Sequence, residues 1–179
     1  MKTDVLDLKL EVSKRGRFST YKSIDDVLDK FNIVGGLGSL PGFRPEIIDI
    51  KKDDPHLEHC IENLKEKLCA FGDAGKNEAY AREFISPVLI AAVLLAPDTG
   101  LDVETSVIGE DDGGHVDYSI LKGNELVCIS EAKNRGTAMN LMQCNGALQQ
   151  NKRKRKRADG FDYIYGQTCY QAIRIGWID

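Results

Sequence analysis

Apolar residues recur at helical spacing in two segments of the chain's first half. In residues 55–70 they fall every three or four positions, which predicts a helix. A longer apolar stripe predicts a second helix over residues 77–95. Its expected buried positions are Ala81, Phe84, Ile85, Val88, Leu89 and Ala92. Glu78 lies at the edge of this stripe and Glu83 roughly opposite it, so we expect Glu78 to point inward and Glu83 to be solvated.

Four other features shape the N-terminal half. In residues 1–12 apolar residues lie among polar neighbours in a pattern that suggests a strand. Ser23 is a typical N-cap for a short helix over residues 23–31. Residues 35–43 form a glycine-rich loop, but no Lys-Ser/Thr pair follows it, so a phosphate-binding role is disfavoured. Pro87 lies inside the second long helix, which leaves open a late start, a bend or a break there.

The second half of the chain predicts strands on either side of a helix. Gly123 and Asn124 mark a hairpin turn, and residues 110–114 form an acidic, glycine-containing turn. A helix is expected over residues 137–157. The predicted strands cover residues 101–108, 115–121, 125–133, 161–165 and 172–177. The order of helix, three strands, helix and two strands predicts a mixed α/β fold built on one sheet.

Composition narrows the class of protein. With 179 residues and 42% hydrophobic content, the chain is long enough for one compact domain with a core, extended by an N-terminal layer. No apolar run approaches the ~20 residues of a membrane helix, so no membrane partner is expected. The five cysteines are an odd number and show no CxxC spacing, which favours reduced thiols in an intracellular protein over a zinc site.

One basic block stands out in a chain whose net charge is −4. Its six consecutive cations are Lys152, Arg153, Lys154, Arg155, Lys156 and Arg157. Cations suit a helix C-terminus, but six exceed what capping needs. Two functional interpretations carry equal weight: contact with the phosphates of a nucleic acid, and a nuclear import signal read by an import receptor. The protein is expected in the nucleus in the second case and otherwise in the cytoplasm.

The candidate chemistry lies at the ends of two predicted strands. Asp117 is on the first, and Glu131 and Lys133 close the second, where charges near a core need partners or a ligand. Two carboxylates, with the backbone carbonyl of Ala132, suit Mg²⁺ or Mn²⁺. Such a metal activates water and neutralises a scissile phosphate, and Lys133 could stabilise the charged transition state. Glu78 could reach this site as an additional acid. A buried ion pair without catalysis explains the same residues equally well.

The register of the hairpin decides whether the two carboxylates meet. A two-residue turn would pair position 117 with 130 and place Asp117 on the wrong face. A three-residue loop would pair 117 with 129, on the face of Val127, Ile129 and Glu131. We therefore expect the longer loop or a β-bulge, because bulges often re-aim site residues.

The motif itself resembles a known family. Asp117, then thirteen residues, then Glu131-Ala132-Lys133, with Glu78 on an upstream helix, resembles the PD-(D/E)XK nuclease superfamily over roughly residues 75–179. Within it, the chain looks most like the nuclease domains of crinkler-type (CRN) proteins. The resemblance implies a restriction-endonuclease-like αβββαβ core, with a mixed central sheet flanked by helices, that cleaves DNA with Mg²⁺.

Carried over by position, the resemblance makes Asp117 and Glu131 metal ligands, Lys133 the catalytic lysine and Glu78 the helix acid. Gln143 matches a glutamine often found near this site, although Gln149 and Gln150 are also available, and Val116 stands where the motif's proline would be. Residues 71–179 would form the nuclease-like domain and residues 1–70 an accessory segment or layer. RNA as substrate, a homodimer and a larger parent protein stay open.

Two functions from other classes compete with the nuclease. One is an inactive nuclease-fold module that binds nucleic acid or a protein; the other is an unrelated α/β interaction domain.

His115 shares a strand face with Asp117 and could act as a base, but the absence of a catalytic role is the favoured interpretation. Core packing is likewise favoured over base stacking for four aromatic residues, Trp177, Tyr163, Tyr165 and Tyr170. His56, His59 and Cys60 lie near one another on the predicted helix over residues 55–70, where two surface histidines are favoured over a metal cluster.

Overall fold

A computed structural model describes residues 15–36, 49–72, 77–132 and 137–154, together with the backbone of residues 163–168 and 171–176. The helices are α1 (Ile24–Lys30), α2 (Pro55–Phe71), α3 (Glu78–Leu95) and α4 (Thr137–Lys154). The strands are β1 (Gly16–Arg17), β2 (Thr99–Ile108), β3 (Asp112–Lys122), β4 (Glu125–Glu131), β5 (Tyr163–Thr168) and β6 (Gln171–Gly176). The predicted helices over 23–31, 55–70 and 77–95 are confirmed. The strand expected over 1–12 lies outside the described residues.

Local capping explains where the first three helices begin. Ser23 Oγ accepts from the Asp25 amide at 3.1 Å and starts α1, as predicted. Asp54 caps α2 by accepting from the His56 amide at 2.9 Å. Asn77 Oδ1 accepts from the Tyr80 amide at 3.1 Å and starts α3. Each cap satisfies a backbone donor that has no partner within the helix itself.

Helix α3 runs unbroken through Pro87, but its buried face differs from the predicted stripe. Val88 is 48% exposed and Ala92 is also exposed, whereas Pro87, Leu89 and Ala91 are buried. The helix contacts both α2 and β2, so its buried positions are divided between two neighbours. The prediction of one buried stripe assumed that the helix packs on one partner. For that reason the predicted burial was wrong at Val88 and Ala92.

The six strands form one mixed sheet in the order β1-β3-β4-β5-β6, with β2 also paired to β3. The pairs β2–β3, β3–β4 and β5–β6 are antiparallel, and β4–β5 and β1–β3 are parallel. Parallel neighbours need a crossover connection, and α4 lies in the connection from β4 to β5. The chain is therefore a mixed α/β protein, as its element order predicts.

The β3–β4 hairpin has a two-residue turn and a bulge. Lys122 pairs with Glu125 across Gly123 and Asn124, and Gly123 has a positive φ of 59°. Such a φ favours glycine and allows the tight turn, so the three-residue loop was wrong. The register then shifts by one residue within β4, which confirms the expected bulge.

Val127 is the extra residue of this bulge, since Leu121 pairs with Leu126 and Ile120 with Cys128. Val127 was expected to share the face of Ile129, but the pairing puts Leu126 there instead. Beyond the bulge, Tyr118 pairs with Ser130. Continued by one position, this register brings Asp117 level with Glu131. The bulge thus puts Asp117 on the face of Glu131, as a longer loop would have done, although the longer loop would have paired position 117 with 129.

The main core lies between α4 and the sheet and includes N-terminal residues. Phe18 and Val27 are buried in the same cluster as Ile129 and Met142. A Cβ at Gly146 of α4 would lie 2.9 Å from Phe18 Cζ, so only glycine allows this approach. Residues from the first 31 therefore share a core with the proposed nuclease-like region, and a domain boundary near residue 70 stays a prediction. None of the described helices is long and apolar enough to cross a membrane.

Candidate active site

Asp117 lies in the middle of β3 and connects this strand to the residue that follows β4. Its side chain is only 6% exposed, and its Oδ2 accepts a hydrogen bond from the Ala132 amide at 2.9 Å. Its Oδ1 accepts from Arg82 Nη2 on α3. A buried carboxylate needs such partners, because its desolvation is otherwise costly. The bond to Ala132 brings this carboxylate to the residue that follows Glu131.

Glu131 is the last residue of β4 and is 1% exposed. Its Oε1 accepts from Gln143 Nε2 at 2.6 Å, and Gln143 is itself fully buried in α4. The same Nε2 donates to the carbonyl of His115 at 3.3 Å. Gln143 thus links α4 to both strands that carry the acids and fixes the direction of the Glu131 side chain.

The two other glutamines of α4 are used elsewhere. Gln149 Oε1 accepts from the Glu110 amide at 2.7 Å, and Gln150 Oε1 accepts from the Ile108 amide at 2.9 Å. Both therefore hold the turn between β2 and β3. Among the described residues, Gln143 is the glutamine of these three that contacts a predicted site residue, Glu131.

Arg82 is a hub that the sequence analysis did not identify. Its Nη1 donates to Glu104 at 2.7 Å, and its Nη2 donates to Glu78 at 3.2 Å as well as to Asp117. Burial by itself would lower the pKa of Arg82, but the charge of Asp117, followed by those of Glu104 and Glu78, raises that pKa overall. The available signal was spacing, since Glu78 and Arg82 are one helical turn apart.

Glu78 therefore approaches the site through Arg82 rather than by direct contact with Asp117. Its side chain is 41% exposed, so the expected inward orientation holds only in part. Glu83, expected to be solvated, is exposed and pairs with Lys67 of α2 at 2.6 Å. The two acids of α3 thus contact different elements of the protein.

Tyr118 holds α3 against the sheet beside the site. Its hydroxyl donates to the backbone carbonyl of Arg82 at 3.1 Å. Burial raises the pKa of Tyr118, and the nearby positive charge of Arg82 lowers it by a smaller amount. The pKa is therefore raised overall. The phenol consequently stays protonated and a donor throughout the neutral range, which keeps the Arg82 backbone next to Asp117.

Several predicted residues lie apart from this group. His115 is exposed, and its Nε2 shares a hydrogen bond with Ser106 Oγ at 3.1 Å. In the basic block, Arg153 donates to the carbonyls of Ile108 and Gly109, so it helps hold the β2–β3 turn. Outside the described residues lie Lys133, Arg155, Lys156, Arg157, Tyr170 and Trp177, and the side chains of Tyr163 and Tyr165.

The donor set of this site fits a hard divalent cation. Among the described residues, no three His, Cys, Asp or Glu side chains cluster as a metal group. Mg²⁺ does not require three, because it keeps several waters and is commonly held by one or two carboxylates. Asp117 and Glu131 supply two buried carboxylates. A cation, the Arg82 guanidinium, already lies against Asp117.

The helical histidines border a separate groove of about 150 Å³ between α2 and α3. His56, His59 and Cys60 line it together with Asn63 and Ser86. In the part of the chain that the structure describes, they do not belong to any metal-binding group. The four described cysteines are free thiols.

Comparisons of the chain with protein-family models, with curated proteins and with solved structures give no match in any of the three.

Proposed function

We propose that this chain is a metal-dependent nuclease that hydrolyses DNA phosphodiester bonds at a site formed by Asp117 and Glu131. The observation that carries the proposal is the presence of two buried carboxylates on neighbouring strands, Asp117 in the middle of β3 and Glu131 at the end of β4. The Asp117 carboxylate accepts from the Ala132 amide, one residue beyond Glu131. Burying two acids on neighbouring strands is costly unless a cation offsets their charge.

The order of elements supports a restriction-endonuclease-like core. From α3 onward the chain runs helix, three strands, helix and two strands, and the sheet contains both parallel and antiparallel pairs. In that arrangement the acids belong to the second and third strands after the helix, as the motif requires. The resemblance to PD-(D/E)XK nucleases, and to crinkler-type domains among them, remains part of the proposal.

Each residue of the site has a proposed part. Asp117, Glu131 and the Ala132 carbonyl would hold Mg²⁺ or Mn²⁺, which when bound activates water and offsets phosphate charge. Gln143 orients Glu131 through its 2.6 Å hydrogen bond. Lys133, next after Ala132, is the proposed catalytic lysine.

DNA binding would draw on the basic block at the end of α4. Lys152 and Lys154 have exposed positions there. Backbone phosphate contacts of this kind do not depend on base sequence and weaken with salt. We therefore expect DNA affinity to fall steeply between low and physiological ionic strength.

The test is a cleavage assay on plasmid, single-stranded DNA and RNA with Mg²⁺ or Mn²⁺. Glu131→Gln should reduce metal-dependent cleavage by about 100-fold or more, because it removes a ligand charge. Glu125→Gln, at the other end of the same strand, is the matched control and should cleave like the wild type. If folded wild-type protein binds DNA but cuts none of these substrates, the inactive binding module replaces the nuclease.

A further inference from the structure

The Arg82 guanidinium occupies the position at Asp117 that a bound metal ion would need. It donates to Asp117 Oδ1, while Oδ2 accepts from the Ala132 amide. Both oxygens of this buried carboxylate are thus engaged, one of them by a full positive charge. A divalent cation brought to the same oxygen would meet strong repulsion from the guanidinium.

The surroundings of Arg82 favour movement of its side chain away from Asp117. Its side chain is 37% exposed, and two of its three acidic partners, Glu78 and Glu104, have side chains that are 41% and 56% exposed. Its Nε is enclosed yet makes no hydrogen bond within the described residues. An enclosed, unpaired donor is unfavourable, which lowers the cost of moving this side chain outward.

We propose that Arg82 is the resident counter-ion of Asp117 and competes with the divalent metal for that carboxylate, so that metal binding breaks the Arg82–Asp117 contact and leaves the guanidinium with Glu78 and Glu104, which it already contacts. The inference rests on the proposed nuclease function. Arg82 is a positioning residue here: it keeps the buried acid neutralised before the metal arrives. Glu104 and Glu78 contact the guanidinium already and would keep it once Asp117 is released, while the Tyr118 hydroxyl keeps the Arg82 backbone in place.

Two substitutions should change metal affinity in opposite directions. Arg82→Gln removes the competitor and should lower the Kd for Mn²⁺ by roughly 10- to 100-fold, the equivalent of one lost charge-assisted hydrogen bond. Glu104→Gln removes one of the two acids that balance the guanidinium once Asp117 is given up, so the charge of Arg82 depends more on Asp117 and the Kd should rise by about threefold or more. Calorimetric titration of Mn²⁺ alone, without nucleic acid, measures both values.

Matched controls separate competition from a general change in charge. Lys67→Gln and Glu83→Gln alter charge by the same amounts in the other ion pair of α3, whose N–O distance is 2.6 Å. Both should leave the Kd for Mn²⁺ within twofold of the wild type. Equal shifts in the controls would overturn the proposal, since they would show that overall charge governs affinity.

Folding is checked by circular dichroism, because Arg82→Gln leaves Asp117 without its cation. If that variant does not fold, Arg82→Lys serves instead. A lysine ammonium cannot span two carboxylates as the guanidinium fork does. The Kd of the Arg82→Lys variant for Mn²⁺ should therefore fall at least about threefold. A Kd unchanged from wild type in the folded variant overturns the inference.

The two proposals fail in different ways. An unchanged Kd in Arg82→Gln, with wild-type cleavage intact, contradicts the competition alone and leaves the nuclease standing. Absence of Mn²⁺ binding in every variant, together with absence of cleavage, contradicts both.

Discussion

Asn151 of α4 makes a reciprocal pair of hydrogen bonds with the backbone of Leu126 in β4. Its Oδ1 accepts from the Leu126 amide at 3.0 Å, and its Nδ2 donates to the Leu126 carbonyl at 2.7 Å. Leu126 directly precedes the bulged Val127, where ladder pairing with β3 is interrupted. The amide of Asn151 therefore holds the strand at the place where its register changes.

The first prediction concerns this pair. Asn151→Ala leaves a buried donor and a buried acceptor on Leu126 without their partners, so the free energy of unfolding should fall by about 2 to 4 kcal/mol. Urea denaturation followed by circular dichroism measures the change. Asn145→Ala, in the same helix at a half-buried position, is the control and should cost less than about 1 kcal/mol. Equal losses would mean that the Asn151 bonds do not stabilise the bulge.

The second prediction separates the glutamines of α4. Gln143→Ala removes the donor that orients Glu131, so metal-dependent cleavage should drop by roughly 10- to 100-fold. Gln150→Ala removes a bond to the Ile108 amide, far along the helix, and should affect stability but not cleavage. Initial rates on plasmid DNA, measured below the melting temperature of both variants, distinguish them. Equal rates would show that Gln143 has no part in the site.

A third prediction concerns the buried acid at the start of β3. The sequence placed Asp112 in an acidic turn, but it is buried and pairs with Lys30 Nζ at 2.7 Å. Burial opposes the charge on Lys30, yet hydrogen bonds to Asp112 and Tyr21 raise its pKa above the ordinary value. Lys30→Met should therefore cost about 2 kcal/mol of stability at neutral pH.

The pH dependence of that loss follows from the sign of the shift. A pKa that is higher in the folded state gives stability that is complete below the unfolded value of ~10.4 and is lost as pH rises through the folded value. The difference between wild type and Lys30→Met should stay constant from pH 7 to 9 and shrink at more alkaline pH. Lys67→Met, whose partner Glu83 is exposed, should cost less than about 1 kcal/mol. A difference that grows with pH would contradict the assignment.

The fourth prediction uses thiol reactivity to probe the packing of α4. Burial raises the pKa of Cys128 to about 11, so only about one thiol in a thousand is ionised at pH 8. Burial, with smaller effects from Cys128 and Glu131, raises the pKa of Cys144 well above its ordinary value. A short iodoacetamide pulse at pH 8 should therefore label the exposed Cys69 far sooner than either. Peptide mass spectrometry, with urea-unfolded protein as the reference, gives the order; rapid labelling of Cys144 would place α4 off the sheet.

The sequence by itself determined the elements whose causes are local. Ser23 as a cap, the helical spacing over residues 55–70 and the glycine of the 123–124 turn each act within a few residues, and the structure agrees with them. The pairing of an acid on one strand with an acid on the next could be stated only as two alternatives. A shift of one residue moves every side chain of a strand to the opposite face of the sheet. The alternation of apolar residues does not reveal at which position a strand contains the extra residue of a bulge.

Only the tertiary structure decided how distant residues meet. The bulge at Val127 places Asp117 opposite Glu131, and α3 packs on two neighbours, which exposes Val88 where one stripe predicted burial. Arg82 and Asp117 are 35 positions apart, and their contact depends on how α3 packs beside the sheet. Helix caps and turns arise from short-range sterics and hydrogen bonds, whereas these contacts arise from the packing of whole elements, which no local pattern contains.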